Sequence, residues 1–174
     1  MESFLTWLQD LPFSTWVASS DSLWGYSFML FLHAVGMGLT AGLAFVVCLR
    51  LLGVGRQIPV SALRTLFGLF WIGFYLNLVT GVILFMADAT GIARVPVLYV
   101  KLACLGVGLF AMTRLRGFID SERSDGDVPA SVRKTAVACI VIWLGVITSG
   151  RLIAYAVESS GAASAASPTS SLTC

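Results

Sequence analysis

Four long apolar runs constrain this chain more than anything else in it. A membrane span needs about 20 mostly apolar residues, and four stretches qualify: about Leu23 to Leu49, Leu66 to Ala87, Val97 to Thr113 and Thr135 to Val157. Each must be helical, because a strand with open edges cannot satisfy its backbone in lipid. The rest of the 174 residues supports the same class. Only 11% are charged and 57% hydrophobic, whereas soluble domains carry roughly 25% charge. The expected fold is all-α, an integral membrane four-helix bundle spanning 22–157.

What precedes and follows the bundle reads differently. Residues 1–21 carry Phe4, Trp7, Leu8 and Leu11 at helical spacing. Pro12 then breaks the pattern, and Phe13, Trp16 and Val17 follow. Aromatics of this kind favour the headgroup layer, so an amphipathic interfacial helix hinged at Pro12 is expected, the competing reading being a helix packed on protein. Ser20 or Asp21 can cap the first span. Acidic residues and an early break exclude a cleavable signal peptide. Residues 158–174 are rich in Ser and Ala and read as a disordered tail.

The basic residues set the orientation. Arg50, Arg56, Arg64, Arg114, Arg116, Arg123, Arg133 and Lys134, eight of the eleven Lys and Arg residues, flank the first and third links. By the positive-inside rule these links are cytoplasmic and both termini lie outside. The net charge of +2, with no basic cluster among surface aromatics, excludes nucleic acid as a partner. The partners expected are the lipid bilayer and a second copy or a larger membrane complex.

Ionisable side chains inside spans are costly and usually face the bundle interior or a water-filled cavity. His33, the only histidine, lies ~15 Å below the outer end of its span at ~1.5 Å per residue. Asn77 is at similar depth, Thr80 one turn nearer the outside, Asp88 at the span's end, Lys101 about one turn in, and Arg151 under two turns from its outer end. Helical facing places Tyr26 with His33 and Thr40, and places Arg151 with Leu144, Thr148, Tyr155 and Glu158. The pattern predicts an outward-facing polar pocket with ligand-binding candidates His33, Tyr26, Asn77, Thr80, Asp88, Lys101, Arg151 and Tyr155. Against it stand plainer readings. Lys101 and Arg151 can snorkel to headgroups, Asp88–Lys101 and Glu158–Arg151 can be ion pairs, and His33, Asn77 and Thr80 can brace helix against helix. The spaced small residues Ala34, Gly38, Gly42, and Gly73, Asn77, Gly81, let helix backbones approach, within the bundle or between copies. The cysteines form no metal-binding spacing, and those in the spans read as small hydrophobes.

The phrases "YSFMLFLHAVGMGLTAGLAFVVCLRLLG", "GFYLNLVTGVILFMADAT", "YVKLACL" and "WLGVITSGRLIAY" together resemble a family of small bacterial inner-membrane proteins known as a domain of unknown function. The resemblance covers about residues 4–157 and rests on His33 with Gly36, Arg50-Leu51-Leu52-Gly53, Thr80-Gly81, Asp88, Lys101 and Gly150-Arg151. It implies four spans in the bacterial inner membrane and no established activity. Ser27 stands where that family often has proline, and Cys48 where it often has an acidic residue. The second difference removes a carboxylate that a proton path across the whole membrane would use.

No nucleophile–base–acid set, second histidine or phosphate loop is present. The leading reading is therefore a non-enzymatic subunit or accessory that binds a partner or small ligand. The runner-up is electron transfer, with His33 as an axial ligand of haem b and Met29 or Met37 as the sixth, or with His33 or Arg151 bonding a quinone. Transport of a small anion or a proton ranks last, because no ionisable residue continues a path into the inner half.

Overall fold

In the computed structural model, the described residues are 2–19, 24–121 and 128–165. The expected caps Ser20 and Asp21 therefore lie outside the description, as do Arg123 and the last residues of the tail. Side chains of 154 and 156–165, Glu158 included, lie outside it too. The helices are α1 (Glu2–Gln9), α2 (Pro12–Ser19), α3 (Tyr26–Leu51), α4 (Leu63–Ala87), α5 (Ala89–Ala93), α6 (Pro96–Ser121) and α7 (Ala130–Ala165), with a 3-10 turn at Val60–Ala62 before α4. Four of them are long and apolar enough to cross a membrane: α3, α4 together with its 3-10 turn, α6, and α7 as far as Ile153.

The four apolar runs thus become four helices, but the boundaries move. Helix α6 continues beyond Thr113 to Ser121, and α7 starts earlier than Thr135 and passes Val157 into the segment expected to be disordered. Polar residues did not stop these helices. Arg116 and Asp120, at i and i+4 on the exposed end of α6, approach to 3.4 Å.

Helix α3 packs along α4, α6 along α7, and α3 also lies against α7, whereas α4 and α6 barely meet. Two close approaches fix the α3–α4 pair. A Cβ at Gly36 would lie 2.7 Å from the backbone nitrogen of Asn77, and one at Gly73 would lie 2.6 Å from Leu39 Cβ. The stripe with which the sequence suggested close packing in α3 is not the one used: Ala34 and Gly38 are exposed, and nothing approaches Gly38 or Gly42 within 4 Å.

The core fills one end of the bundle. Val47, Leu51, Leu63, Phe67, Phe70, Met112, Leu115, Ile119, Cys139 and Trp143 form a continuous buried cluster, with the Phe70 and Trp143 rings edge to face. Arginines tie off this end. Arg50 is buried, and its Nε donates to the Ile58 carbonyl and a terminal nitrogen to that of Arg56, holding the turn in which Gly53 and Gly55 have φ of 104° and 67°. Arg64 donates to the Ile119 and Asp120 carbonyls at 3.0 and 3.1 Å, so α4 caps the otherwise unpaired C-terminal carbonyls of α6.

At the other end, Pro12 is the first residue of α2 and not a kink inside one helix. The Ser14 hydroxyl bonds the Leu8 carbonyl at 2.8 Å, and Ser14 and Val17 are the residues α2 buries. The aromatics stay outside, stacked as Phe4–Trp7 and Phe13–Trp16 and exposed.

Candidate functional site

Where α4 and α6 diverge, the α5 end of the bundle holds a cavity of about 510 Å³. His33 on α3, Asn77 and Gly81 on α4, and Lys101 on α6 give it polar groups and room. Leu78, Val82, Phe85, Leu98, Leu102 and Leu105 make its walls apolar, and Glu2, Leu5, Ala93 and Arg94 border its mouth. Val82 and Leu102, which line it, are each half exposed, at 50% and 54%, and α4 and α6 make little contact, so the cavity opens between these two helices.

The floor is built by hydrogen bonds between α3 and α4. Asn77 Nδ2 donates to the His33 carbonyl at 2.9 Å. The Thr80 hydroxyl lies 2.7 Å from the Leu76 carbonyl and 3.2 Å from His33 Nδ1. A carbonyl only accepts, so the single hydroxyl proton is committed to the helix. With its proton on that carbonyl, Thr80 Oγ1 is free to accept from the ring, and on this geometry the imidazole proton is assigned to Nδ1 and the lone pair to Nε2. Gly81 lets the ring settle: a Cβ there would stand 3.0 Å from His33 Cε1. His33 Nε2 makes no hydrogen bond within the described residues, and the ring lines the cavity.

Lys101 is turned inward. Its Nζ and Met37 Cε sit 3.8 and 3.7 Å from the place a Gly150 Cβ would occupy. The ammonium is thus folded against α7 and α3, and does not snorkel along α6. Among the described residues, the ion pairs join Arg64 and Arg116 to Asp120 and Arg94 to Glu2. None involves Lys101.

Other sequence candidates fall elsewhere. Asp88 is the N-cap of α5 and accepts from the Gly91 amide at 3.2 Å, so it neither forms the rim nor pairs with Lys101. Arg151 and Tyr155 are exposed on α7 and do not border the cavity. Helix α7 buries Ala136, Cys139, Trp143, Val146 and Ser149 instead, a face rotated away from Leu144, Thr148 and Arg151. The facing argument assumed that the charge points inward. Arg151 lies within one turn of the end of its apolar stretch at Ile153, where a long side chain can face outward. Tyr26, at the first turn of α3, is also exposed.

What the sequence did not single out is the roof. Helix α1 lies over the mouth, held at both ends by α5 and the residue after it. Arg94 pairs with Glu2 at 3.0 Å, and Gln9 Oε1 accepts from the Thr90 hydroxyl at 2.8 Å. Glu2 and Arg94, like Gln9 and Thr90, are far apart in the chain, and only their opposite or complementary chemistry hinted at contact. Among the described residues no group of three His, Cys, Asp or Glu side chains could hold a metal ion. Comparison with protein-family models, curated proteins and solved structures finds no match to this chain.

Proposed function

We propose that this chain is a non-enzymatic subunit or accessory of the bacterial inner membrane that binds a small amphiphile in the cavity between α4 and α6. The arginine-rich end is cytoplasmic by the positive-inside rule. The cavity then lies in the outer half of the membrane, and both termini lie outside. Helices α1 and α2 rest on the outer surface, with Phe4, Trp7, Phe13 and Trp16 in the headgroup layer. The observation that carries the reading is the cavity itself: a few convergent polar groups at the base of leucine-rich walls, open between α4 and α6 and bordered at its mouth by α1. Apolar pockets with a few placed polar groups are the usual form of a small-molecule site.

An electron-transfer reading rests on one atom. An imidazole that donates through Nδ1 and presents Nε2 is arranged as a metal-ligating histidine is, and haem b is the group it would hold. Mass spectrometry of the organic extract of purified protein, with an absorption spectrum, tests both readings. The proposal expects a small amphiphile retained by wild type, reduced in Lys101→Met, and no Soret band after haem-supplemented expression. A Soret band lost in His33→Ala establishes the haem reading instead. Absence of both signals overturns the pocket as a binding site.

A further inference from the structure

The floor of the cavity asks two opposite things of whatever sits there. Lys101 Nζ can only donate a hydrogen bond, and His33 Nε2, with the ring proton fixed on Nδ1 by Thr80, can only accept one. A carboxylate or phosphate oxygen satisfies the lysine and leaves the imidazole facing another acceptor. A quinone carbonyl has the same defect. A hydroxyl on an aromatic ring satisfies both, because its oxygen accepts from the ammonium and its proton goes to the imidazole. The apolar walls formed by Leu78, Val82, Leu98 and Leu102 accommodate a ring, and the opening between α4 and α6 gives a tail a way out of the bundle.

We infer that the pocket is selective for the reduced, hydroquinone form of a membrane-dissolved quinone, bound through one ring hydroxyl between Lys101 Nζ and His33 Nε2. This rests on the amphiphile-binding reading above and adds the class and redox state of the ligand. Binding alone is inferred, and the hydroquinone keeps its electrons and both protons.

The test measures the affinity of detergent-solubilised full-length protein for a decyl-substituted benzohydroquinone and for its oxidised quinone, under argon, by equilibrium dialysis. Sodium oleate serves as an anionic amphiphile without a donor. Wild type should prefer the hydroquinone by about tenfold, the value of one hydrogen bond replaced by an acceptor–acceptor clash. Lys101→Met should weaken both redox forms, and Arg151→Ala should weaken neither. His33→Ala should abolish the preference. Thr80→Val keeps the ring but removes the acceptor that fixes its proton, so the other tautomer becomes available and the preference should fall toward parity while the quinone gains. Equal affinity for the two forms in wild type, a preference that survives both His33→Ala and Thr80→Val, or oleate binding tighter than the hydroquinone each overturns the inference. If a different amphiphile co-purifies and neither quinone form binds, the ligand class is wrong and the pocket reading stands. If nothing co-purifies or binds, both fall.

Discussion

The two ends of this bundle solve different problems with the same four helices. At the arginine-rich end, apolar side chains from α3, α4, α6 and α7 interlock around Trp143, Phe70 and Leu115, and arginines fasten the turn and the α6 terminus. At the α5 end, α3 and α4 remain locked by Gly36 and Asn77, but α4 and α6 part and leave a cavity with a polar floor. Lipid tails are as apolar as leucine, so helices in a membrane are held by packing and interhelical hydrogen bonds and not by expulsion of water. Packing density is then the main currency. A bundle that packs tightly at one end can leave the other open without coming apart.

Substitutions at the closed end should therefore do the most harm to folding. Trp143→Ala removes the largest fully buried side chain and should cost about 3 kcal/mol, toward the lower part of the range for aromatic truncation because burial from lipid carries little transfer term. Thermal unfolding in detergent measures it, and a loss below about 1 kcal/mol would mean that this end is not the anchor. Gly36→Ala drives a methyl into the Asn77 backbone, which cannot swing away as the end of a side chain can. It should cost about 1–3 kcal/mol, while Gly38→Ala, on the open face of the same helix, should change nothing measurable. Equal effects at the two glycines would break the α3–α4 packing described above.

Polar changes at the open end should be milder for stability and larger for binding. Asn77→Leu removes the bond to the His33 carbonyl and should cost about 0.6 kcal/mol, the average for an interhelical hydrogen bond in a membrane, yet reduce retention of the ligand. Unchanged retention would mean the floor does not depend on this contact. The smallest effect belongs to Glu2→Gln. The Glu2–Arg94 pair is more than 70% exposed on both sides, so stability should move by less than about 0.5 kcal/mol. Only the rate of ligand exchange should rise, if α1 controls the mouth. Stopped-flow displacement in wild type and variant reads that rate.

The sequence shows its limits most clearly in α7. Its apolar length made the helix certain, but its facing was inferred from Arg151, and the structure turns that side outward. The small-residue stripe of α3 misled in the same way: Ala34 and Gly38 have the right spacing, while Gly36 makes the contact. In both helices apolar residues lie on every side, as in helices long and apolar enough to cross a membrane. Periodicity therefore carries little information about which side is inside. His33, Asn77, Thr80 and Lys101 were legible because a polar group in a span is expensive wherever it points, and such groups find one another.

By itself, then, the sequence determined four helical spans, the end of the bundle where the arginines gather, and the short roster of polar residues available for binding. Run length, charge asymmetry and the cost of a polar group in hydrocarbon are all local properties. Only the tertiary structure decided which of those residues share a cavity, that Asp88 caps α5, that Arg151 and Tyr155 face away, and that α1 roofs the mouth. The assignment of the His33 proton to Nδ1 likewise rests on a threonine 47 positions along the chain on a neighbouring helix, and only packing brings the two together.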